Sequence, residues 1–467
     1  MSPATTGEHH DTIAAIATAN GAGAIGIVRL SGPESLRIAQ AMFRSTRSHF
    51  AGFKPYRLHH GQLLDGAGRT LDEILATYMP GPGSFTGEDV VELFCHGGVA
   101  VLRAVQEECL ARGARLARPG EYSLRAFLNG KLDLTQAEAI AESIAAPTRA
   151  ALHLAQMKLS GALGRRIGEV RKGLEGLRAQ LCLAVDFPDE EVECLPREEL
   201  AAETLRLAAE VATLLASARR ARAWREGALA VLAGSVNAGK SSLMNALVGR
   251  MRAIVSEAPG TTRDYLEEAL DLDGLVVRLV DTAGLREAEG VGPVEAQGQE
   301  LSRDFMSRAE AVLYLLDVSR PLPDLERTAL AELDPERTIV VLNKADLPCA
   351  APEAEALATA RGLLCLHISA RTGQGVEALA ALLRQMLLAG AAEPDPDEVS
   401  PNARQAATLE RARAELLALA EETTTGLPYD ILGVRLESAC MLLSEITGEI
   451  APQEVLDSIF ASFCIGK

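Results

Sequence analysis

The spacing of apolar residues changes along the chain and predicts regions of different structure. Up to about residue 120, short apolar runs at 24–30, 77–79 and 90–94 are separated by turn residues, which is typical of an α+β domain. From about 124 to 184 the pattern becomes helical, and apolar residues from Leu159 to Leu181 recur at three- and four-residue steps, which predicts a long helix with one buried face. The chain therefore begins with a mixed domain that leads into helices.

Beyond about residue 225 the pattern alternates between buried strands and helices. Apolar runs at 228–233, 275–280 and 338–342 predict strands, and the period of 376–388 predicts a helix. The acidic, proline-containing stretch at 393–398 predicts a linker.

Helical periodicity resumes at 403–423 and again at 437–463. The most economical arrangement packs these terminal helices against the earlier ones. The region at about 225–390 would then be an insertion between two parts of one helical domain.

Composition bounds the class of protein. The 467 residues, 48% hydrophobic and 24% charged, suit a globular protein of about two to four domains. Residues 1–10 lack the apolar core of a signal peptide, and no apolar run approaches the roughly 18 residues of a membrane span. We therefore expect a cytoplasmic protein without membrane association. The eight cysteines lack C-x-x-C spacing, so we expect reduced and mostly buried thiols.

The formal net charge is −18, which argues against a protein that holds nucleic acid on a broad basic surface. Any RNA contact must then be local. The densest basic clusters, at 165–166, 171–172 and 219–222, are interpreted as solvated helix faces.

The clearest chemical signal is a GxxxxGK[ST] segment at 234–241, placed between a predicted strand and a predicted helix. Backbone N–H groups at a helix N-terminus face an anion, and Gly234 and Gly239 let the chain wrap closely around phosphate oxygens. Lys240 can reach the β- and γ-phosphates, and the Ser241 hydroxyl can ligate Mg²⁺. An ordinary glycine-rich turn is the alternative for this segment alone.

Three further segments, at 281–284, 343–346 and 369–370, follow in the order of a guanine-nucleotide-binding domain. Asp281 ends an apolar strand, where it can hold Mg²⁺ through water. The Asp346 carboxylate can accept hydrogen bonds from N1–H and the exocyclic amine of guanine, which adenine does not offer. The nucleotide is therefore predicted to be GTP.

A switch segment at 256–264 lies between the phosphate loop and Asp281, and one of its threonines should complete the Mg²⁺ shell. No glutamine directly follows Gly284, so another residue must position the attacking water. Glu295 is the candidate, and a solvated loop carboxylate is its alternative interpretation. No arginine occupies a position typical of an intrinsic arginine finger, so a bound monovalent cation is expected to offset charge in the transition state.

We expect the nucleotide to be held by a set of loop residues: Asn237, Ala238, Gly239, Lys240, Ser241, Ser242, Ser256, Glu257, Ala258, Pro259, Gly260, Thr261, Thr262, Asp281, Thr282, Ala283, Gly284, Asn343, Lys344, Ala345, Asp346, Ser369, Ala370 and Arg371.

Two other segments have weaker signals. The glycines at 21–26 are spaced like a dinucleotide fingerprint, but no preceding strand is predicted, so a Rossmann site is discounted. The segment 463–467 carries Cys464 close to Lys467, and its alternatives are a frayed helix end or a reactive tail.

The nucleotide motifs occur together with five further segments, at 81–90, 118–122, 125–134, 186–191 and 464–467. This combination resembles the tRNA-modification GTPase MnmE family, also called TrmE, over essentially the whole chain.

The resemblance implies a multidomain α/β fold. It consists of an N-terminal α+β folate-binding-like domain, an all-α helical domain and an inserted Ras-like P-loop GTPase domain with a mixed, mostly parallel sheet. The implied bounds are 1–120 for the N-terminal domain, 121–224 and 391–467 for the two helical parts, and 225–390 for the G domain.

The resemblance also implies a homodimeric, potassium-dependent GTP hydrolase that uses Mg²⁺ and a tetrahydrofolate derivative, in the 5-formyl or methylene form. With the FAD-binding partner MnmG, in a heterotetramer, it would take part in carboxymethylaminomethyl-type modification of the wobble uridine U34 of tRNA.

The family's site residues match particular positions here. The implied folate contacts are Arg29, Glu92 and Lys131, with Lys467 approaching from the tail. The implied K⁺ ligands are Asn237, Ser256, Ala258 and Thr261, the implied Mg²⁺ ligands are Ser241 and Thr262, and the implied catalytic residues are Glu295 and Cys464.

This sequence departs from the family pattern at two places. Position 236 is Val where relatives usually have Pro, and 290–293 lengthens the second switch before Glu295. A regulatory GTPase of the ribosome-assembly type, without modification chemistry of its own, is the alternative function. Such GTPases lack a folate-like domain, so the segments outside 225–390 favour the modification enzyme.

Overall fold

A computed structural model describes residues 11–186, 196–253, 267–281, 306, 308–388 and 398–466. The chain divides into two compact units. The first unit comprises Met1–Ala141, Lys158–Val211 and Ala407–Lys467, and the second comprises Glu142–Met157 and Ala212–Ala406.

The first unit contains a seven-stranded sheet in the order β3-β4-β5-β6-β2-β1-β7. Its strands are β1 (Ile13–Ile16), β2 (Ile25–Ser31), β3 (Phe43–Ser45), β4 (His59–Leu64), β5 (Thr70–Met79), β6 (Val90–His96) and β7 (Arg115–Leu116). All neighbours pair antiparallel except β1 and β7, which are parallel.

Helices α1 (Ser35–Met42) and α2 (Val99–Ala111) supply apolar side chains to the same core as this sheet. In β2, Val28 and Leu30 are buried in that core while Arg29 faces away from it, as strand alternation requires. One face of the sheet is therefore the core of the α+β part.

The prediction that no strand precedes the glycines at 21–26 is wrong, because β1 lies there. These glycines nevertheless connect two antiparallel strands, with Ala15 opposite Arg29, rather than a strand and a helix. A dinucleotide site needs the strand-to-helix turn.

The helical part of the chain contains α3 (Glu121–Leu128), α4 (Leu134–Ala145), α5 (Arg149–Leu159), α6 (Ala162–Asp186) and α7 (Arg197–Glu226). Beyond residue 402 it continues with three helices, Ala403–Thr424, Tyr429–Thr447 and Gln453–Ala461. The predicted long helix is divided by Gly161, which has a left-handed φ of 78°, and the last predicted helix is divided by Gly448, with a φ of 86°. The apolar stripe from Leu163 to Leu181 remains the buried face of α6.

Arg125, on α3, lies at the centre of an ionic network in the first unit and is 2% exposed. It donates to Asp11 Oδ1 at 2.6 Å and to Glu88 Oε2 and Glu121 Oε1 at 3.1 Å each. Burial would raise the pKa of Glu121, but hydrogen bonds from Arg115, the backbone and Arg125 lower that pKa below its ordinary value. Because buried charges are tolerated only when they are paired, this network fixes α3 against the strand ends.

The second unit contains a seven-stranded sheet in the order β14-β13-β12-β8-β11-β10-β9. Its strands are β8 (Ala228–Gly234), β9 (Arg252–Ala253), β10 (Glu267–Leu272), β11 (Leu275–Asp281), β12 (Ala311–Asp317), β13 (Thr338–Asn343) and β14 (Leu364–His367). Each neighbouring pair from β14 to β11 is parallel. β10 pairs antiparallel with both of its neighbours, β11 and β9.

Within the described residues, the helices that supply apolar side chains to the two faces of this sheet include Lys240–Arg250, Asp324–Glu332, Glu353–Ala360 and Val376–Leu388. Apolar clusters occupy both faces, one around Leu232 and Leu279 and the other around Val231 and Val340. The predicted fold class, with its mixed and mostly parallel sheet, is confirmed. The predicted domain bounds stay a prediction.

Among the helices that the structure describes, none combines the length and apolarity needed to cross a bilayer. The expectation that the thiols are mostly buried is wrong for the described cysteines. Three are buried (Cys95, Cys109 and Cys440), Cys365 is half-buried, and three are exposed (Cys182, Cys349 and Cys464).

Candidate nucleotide-binding site

The phosphate loop of the second unit runs from the end of β8 into the helix Lys240–Arg250. Gly234 and Gly239 adopt left-handed φ values of 127° and 101°. A Cβ at Gly239 would collide with the side chain of Asn343, and one at Gly234 would collide with the carbonyl of Leu315. Glycine is therefore required at both positions by the backbone conformation and by close packing.

The Lys240 side chain folds back over this loop. Its Nζ donates to the carbonyl oxygens of Gly234 at 2.9 Å and Ser235 at 2.8 Å. This places an ammonium group beside the helix N-terminus, where an anion is favoured.

Ser241 and Asp281 meet at the carboxyl edge of the sheet. Parallel pairing of β8 with β11 sets Asp281 opposite Leu232, and the Ser241 hydroxyl donates to Asp281 Oδ2 at 2.9 Å. A hydroxyl and a carboxylate are hard oxygen ligands of the kind that Mg²⁺ prefers. The donor set therefore fits a magnesium ion held next to the phosphate loop.

The amide of Asn343 joins three of the predicted nucleotide segments and is 2% exposed. Its Nδ2 donates to the Ala238 carbonyl in the phosphate loop at 2.8 Å. Its Oδ1 accepts from the Ala370 backbone N–H at 3.0 Å. One side chain thus fixes the separation of the phosphate loop from the two loops predicted to hold the base.

Asp346 lies at the base end of the site. Its Oδ1 accepts from the Ser369 hydroxyl at 2.6 Å, and its Oδ2 pairs with Arg371. The hydrogen bond from Ser369, followed by the one from Arg371, lowers the pKa of Asp346, so the group is a carboxylate at neutral pH. An ionised acceptor here suits the two N–H donors of guanine.

Lys344 has a partner that the sequence analysis missed. Its Nζ lies 2.5 Å from Asp317 Oδ2, and Lys344 itself has a left-handed φ of 67°. Burial would raise the pKa of Asp317, but the hydrogen bonds from Lys344 and Ser319 lower it overall. The available signal was the acidic residue that ends the apolar run at 311–317, as Asp281 ends the run before it.

Many of the predicted nucleotide residues lie outside the described residues, and their roles stay predictions. They are Ser256, Glu257, Ala258, Pro259, Gly260, Thr261, Thr262, Thr282, Ala283, Gly284 and Glu295. Asn237, Ala238, Ser242 and Ala345 are described. Asn237 is exposed in the phosphate loop with a φ of 65°, and the Ala345 N–H donates to the Ile368 carbonyl at 3.0 Å.

Two of the residues predicted to bind folate, Arg29 and Glu92, contact each other in the first unit. Arg29 and Glu92 are opposite each other in the β2–β6 register, and Arg29 Nε donates to Glu92 Oε1 at 2.8 Å. The guanidinium carbon of Arg29 also lies 5.6 Å from the ring centroid of Tyr122. Lys131 is exposed and donates to the Pro82 carbonyl at 2.8 Å. Two cations and one carboxylate are a donor set that suits a ligand with both carboxylates and N–H donors, such as a folate.

The C-terminal tail reaches the same part of the first unit. Arg29 Nη1 donates to the Gly466 carbonyl at 3.2 Å, and the Gly120 N–H donates to the Cys464 carbonyl at 3.4 Å. The Cys464 thiol is exposed, and Lys467 lies outside the described residues. The structure therefore places the tail backbone beside the Arg29–Glu92 pair.

Two family models match this chain. The one described as MnmE helical domain matches residues 134–464, and the one described as GTP-binding protein TrmE N-terminus matches residues 12–131.

Three relatives are named tRNA modification GTPase MnmE. The protein of Nitratidesulfovibrio vulgaris is 53% identical and is matched over 98% of this chain and 100% of its own length. The protein of Lawsonia intracellularis is 46% identical over 98% and 100% of the two chains. The protein of Symbiobacterium thermophilum is 43% identical over 98% and 99%. The chain belongs to the MnmE family of tRNA modification GTPases.

We expect Asn343→Ala to lower GTP affinity by about tenfold to a hundredfold, because the Ala238 carbonyl loses its donor and the loops lose their fixed separation. Nucleotide dissociation rates measure this effect. Asn402→Ala is the matched control, since Asn402 lies in the same unit as Asn343 and caps the helix Ala403–Thr424, where its Oδ1 accepts from the Gln405 N–H at 2.9 Å. That variant should lose about 1 kcal/mol of unfolding free energy without a change in GTP affinity. Equal GTP affinities in the two variants would contradict the role assigned to Asn343.

Proposed function

We propose that this protein is a GTP hydrolase that takes part in modification of the tRNA wobble uridine. The observation that carries the proposal is the meeting, in one site, of an ionised Asp346, the Asn343 bridge and the Ser241–Asp281 oxygen pair. Membership of the MnmE family supports this function over that of a regulatory GTPase of the ribosome-assembly type.

In this proposal each described residue has a distinct task. Lys240 leaves the loop carbonyls to bind the β- and γ-phosphates, because phosphate oxygens are the stronger acceptors. Ser241 would ligate Mg²⁺ directly and Asp281 through water. A magnesium ion supplies charge neutralisation at the phosphates.

Asp346 is proposed to select guanine. Arg371 is exposed, so it can leave the Asp346 carboxylate when the two guanine N–H groups arrive. Lys344, held by Asp317, would line the base pocket with its methylene groups.

We expect Asp346→Asn to weaken GTP binding by about 2–4 kcal/mol and to improve binding of XTP, whose base offers an acceptor in place of the amine. Asp324→Asn, an exposed position in the same unit, is the control and should leave both affinities unchanged. Nucleotide titrations that show the same GTP-to-XTP preference in Asp346→Asn and the unmutated protein would exclude guanine recognition by Asp346.

We further propose that K⁺ binds beside the phosphates at Asn237, Ser256, Ala258 and Thr261. Its support is the family assignment and the exposed position of Asn237 in the phosphate loop. A monovalent cation there can offset the charge that develops during phosphoryl transfer.

GTP hydrolysis should therefore be faster in KCl than in NaCl at equal ionic strength, and Asn237→Ala should remove most of that difference. Initial rates of phosphate release provide the measurement. If the unmutated protein hydrolyses GTP equally fast in both salts, the cation site is not needed.

The modification chemistry is proposed for the first unit. Arg29, Glu92, Lys131 and Lys467 would hold a 5-formyl or methylene tetrahydrofolate, which supplies a one-carbon group when bound. The protein would act as a homodimer with MnmG, the FAD-binding partner, on tRNA. Cys464 is a proposed catalytic residue, because its exposed thiol belongs to the tail whose Gly466 carbonyl contacts Arg29.

Cys464→Ser keeps the shape of the side chain but removes the thiol. We expect it to abolish the modified wobble uridine, measured by mass spectrometry of tRNA nucleosides from cells that carry only this variant. GTP hydrolysis and folate binding by the purified variant should persist. Cys349→Ser, which changes another exposed thiol, should have no effect on modification. Normal modification in Cys464→Ser cells would end the catalytic assignment.

A further inference from the structure

Residues 35–64 of this acidic chain contain no acidic residue. Between Glu34 and Asp65 there are five arginine or lysine residues and three histidines, although the whole chain has a net charge of −18. Segregation of this kind concentrates positive potential on one part of a surface. The stretch covers α1, β3 and β4, all in the first unit.

All five arginine or lysine residues of the stretch are exposed, and four of them lie on or after β3: Arg44 on β3, and Arg47, Lys54 and Arg57 in the connection between β3 and β4. We call these four the basic loop surface. None of them forms an ion pair with a carboxylate that the structure describes, whereas Arg37 in the same stretch pairs with Glu34.

Other exposed arginines contrast with this surface. Arg206 lies 2.6 Å from Glu203, Arg220 lies 2.5 Å from Glu398, and Arg222 lies 3.2 Å from Glu226. Their charges are already matched within the chain. The four cations of the basic loop surface are not matched by described carboxylates, so their charge is available to a partner.

The connection that carries these cations has its own aromatic core. Phe43, Phe50 and Phe53 have ring centroids 4.9 to 5.5 Å apart, and the His59 ring lies 5.3 Å from Phe50 and 5.2 Å from Phe53. Packing of this kind holds the loop in one shape, so little conformational entropy is lost when a partner binds.

Tyr56 presents an aromatic ring at the edge of the basic loop surface and is 59% exposed. Its N–H donates to the Tyr78 carbonyl at 2.8 Å, and its hydroxyl lies so close to Gly83 that a Cβ there would collide with it. Lys131 contacts Pro82, the residue before Gly83. The Tyr56 hydroxyl thus lies against the loop that also contacts Lys131, a proposed folate residue, while Lys54 and Arg57 lie within two residues of Tyr56 in the chain.

We propose that the basic loop surface binds the phosphodiester backbone of the RNA substrate, with Tyr56 stacking on an unpaired base. The inference rests on the proposed tRNA-modifying function and deepens it by naming the contact surface. Three of the four cations are arginines, whose planar forks match phosphate oxygens. Exposed aromatic rings are the usual platforms for single-stranded RNA bases.

An acidic protein is the competing partner for a basic surface. It would need the cations but gains little from a single exposed ring beside them. Strand pairing brings an acidic residue, Glu73 on β5, next to β4. Its carboxylate lies 3.0 Å from His60 Nε2 and, within the described part of the chain, does not pair with the four cations. The combination of unmatched arginines with an aromatic ring therefore favours RNA.

The test neutralises the surface without changing its size much. The patch variant carries Arg44→Gln, Arg47→Gln, Lys54→Gln and Arg57→Gln. The matched control carries Arg206→Gln, Arg220→Gln, Arg222→Gln and Arg327→Gln, which remove the same charge from arginines that already have carboxylate partners. Binding of an unmodified tRNA transcript with uridine at the wobble position is measured from 50 to 300 mM NaCl.

We expect the patch variant to bind this tRNA about 30-fold or more weakly than the unmutated protein near 0.1 M salt, and the salt slope to fall by about 3. The control should stay within about threefold, since its charges are already neutralised. GTP hydrolysis should be the same in the patch variant and the unmutated protein, because the four substituted cations belong to the first unit and the nucleotide residues to the second.

Tyr56 gives an independent measurement. Tyr56→Phe keeps the ring and should bind tRNA normally, whereas Tyr56→Ala should lose about fivefold or more with an unchanged salt slope. If the patch variant fails to fold, two half variants replace it: Arg44→Gln with Arg47→Gln, and Lys54→Gln with Arg57→Gln. Each should show about half of the decrease in salt slope that is expected for the patch variant.

Equal tRNA binding by the patch variant and the control would overturn the proposal. The proposal would also be overturned if the patch variant still binds tRNA but no longer binds polyglutamate. That result would assign the surface to an acidic protein. These results leave the proposed function intact if the unmutated protein hydrolyses GTP and supports wobble-uridine modification. Absence of both activities in the unmutated protein would instead overturn the proposed function and this inference together.

Discussion

The nucleotide site depends on a single buried amide. Asn343 donates to the phosphate loop through Ala238 and accepts from Ala370 in the loop after β14, so it satisfies two backbone groups with one side chain. A buried polar group without a partner costs about 1–3 kcal/mol, so both bonds must form for the loops to pack. Glycine is required at position 239 for this packing, because any larger residue would collide with the Asn343 amide. The ends of the nucleotide, at phosphate and base, are therefore set at a fixed spacing.

Buried polar groups are also paired in the first unit, where the groups are charged side chains rather than an amide. Arg125 is almost fully buried, and its guanidinium joins Asp11, Glu88 and Glu121 from three different parts of the chain. Pairing of these charges holds α3 to the start of β1 and the entry to β6. Arg29 is then placed between its cross-strand partner Glu92 and the carbonyl of Gly466. Arg29, Glu92 and the backbone of the tail are thus brought together by the strand register and by the hydrogen bond from Arg29 to Gly466.

Charge is distributed unevenly over the chain, and this bears on its work with RNA. A net charge of −18 repels nucleic acid from most of the molecule. An acid-free stretch with unmatched cations then has two effects. In the proposed RNA contact it would attract the RNA backbone locally, and the acidic remainder would restrict where that backbone can bind. Specific placement of a tRNA can follow from this contrast without a large basic surface.

Much of this protein could be predicted from the sequence alone, for a physical reason. Phosphate binding uses consecutive residues of one loop, so Gly234, Gly239, Lys240 and Ser241 are visible as a local pattern. The strands that precede Asp281 and Asn343 and the buried stripe of α6 are equally local, since periodicity reports which face is buried. Helix breaks at Gly161 and Gly448 were missed because apolar periodicity continues on both sides of each glycine.

The tertiary structure decided what depends on residues far apart in the chain. Pairing of Lys344 with Asp317 follows from the β12–β13 register, and the contact of Arg29 with Gly466 joins residues 437 positions apart. The sequence contains the acid-free stretch, but it cannot show which cations have carboxylate partners, because those partners come from other strands and helices. Local chemistry was therefore determined by the sequence. The matching of charges across the fold was decided only when the chain had folded.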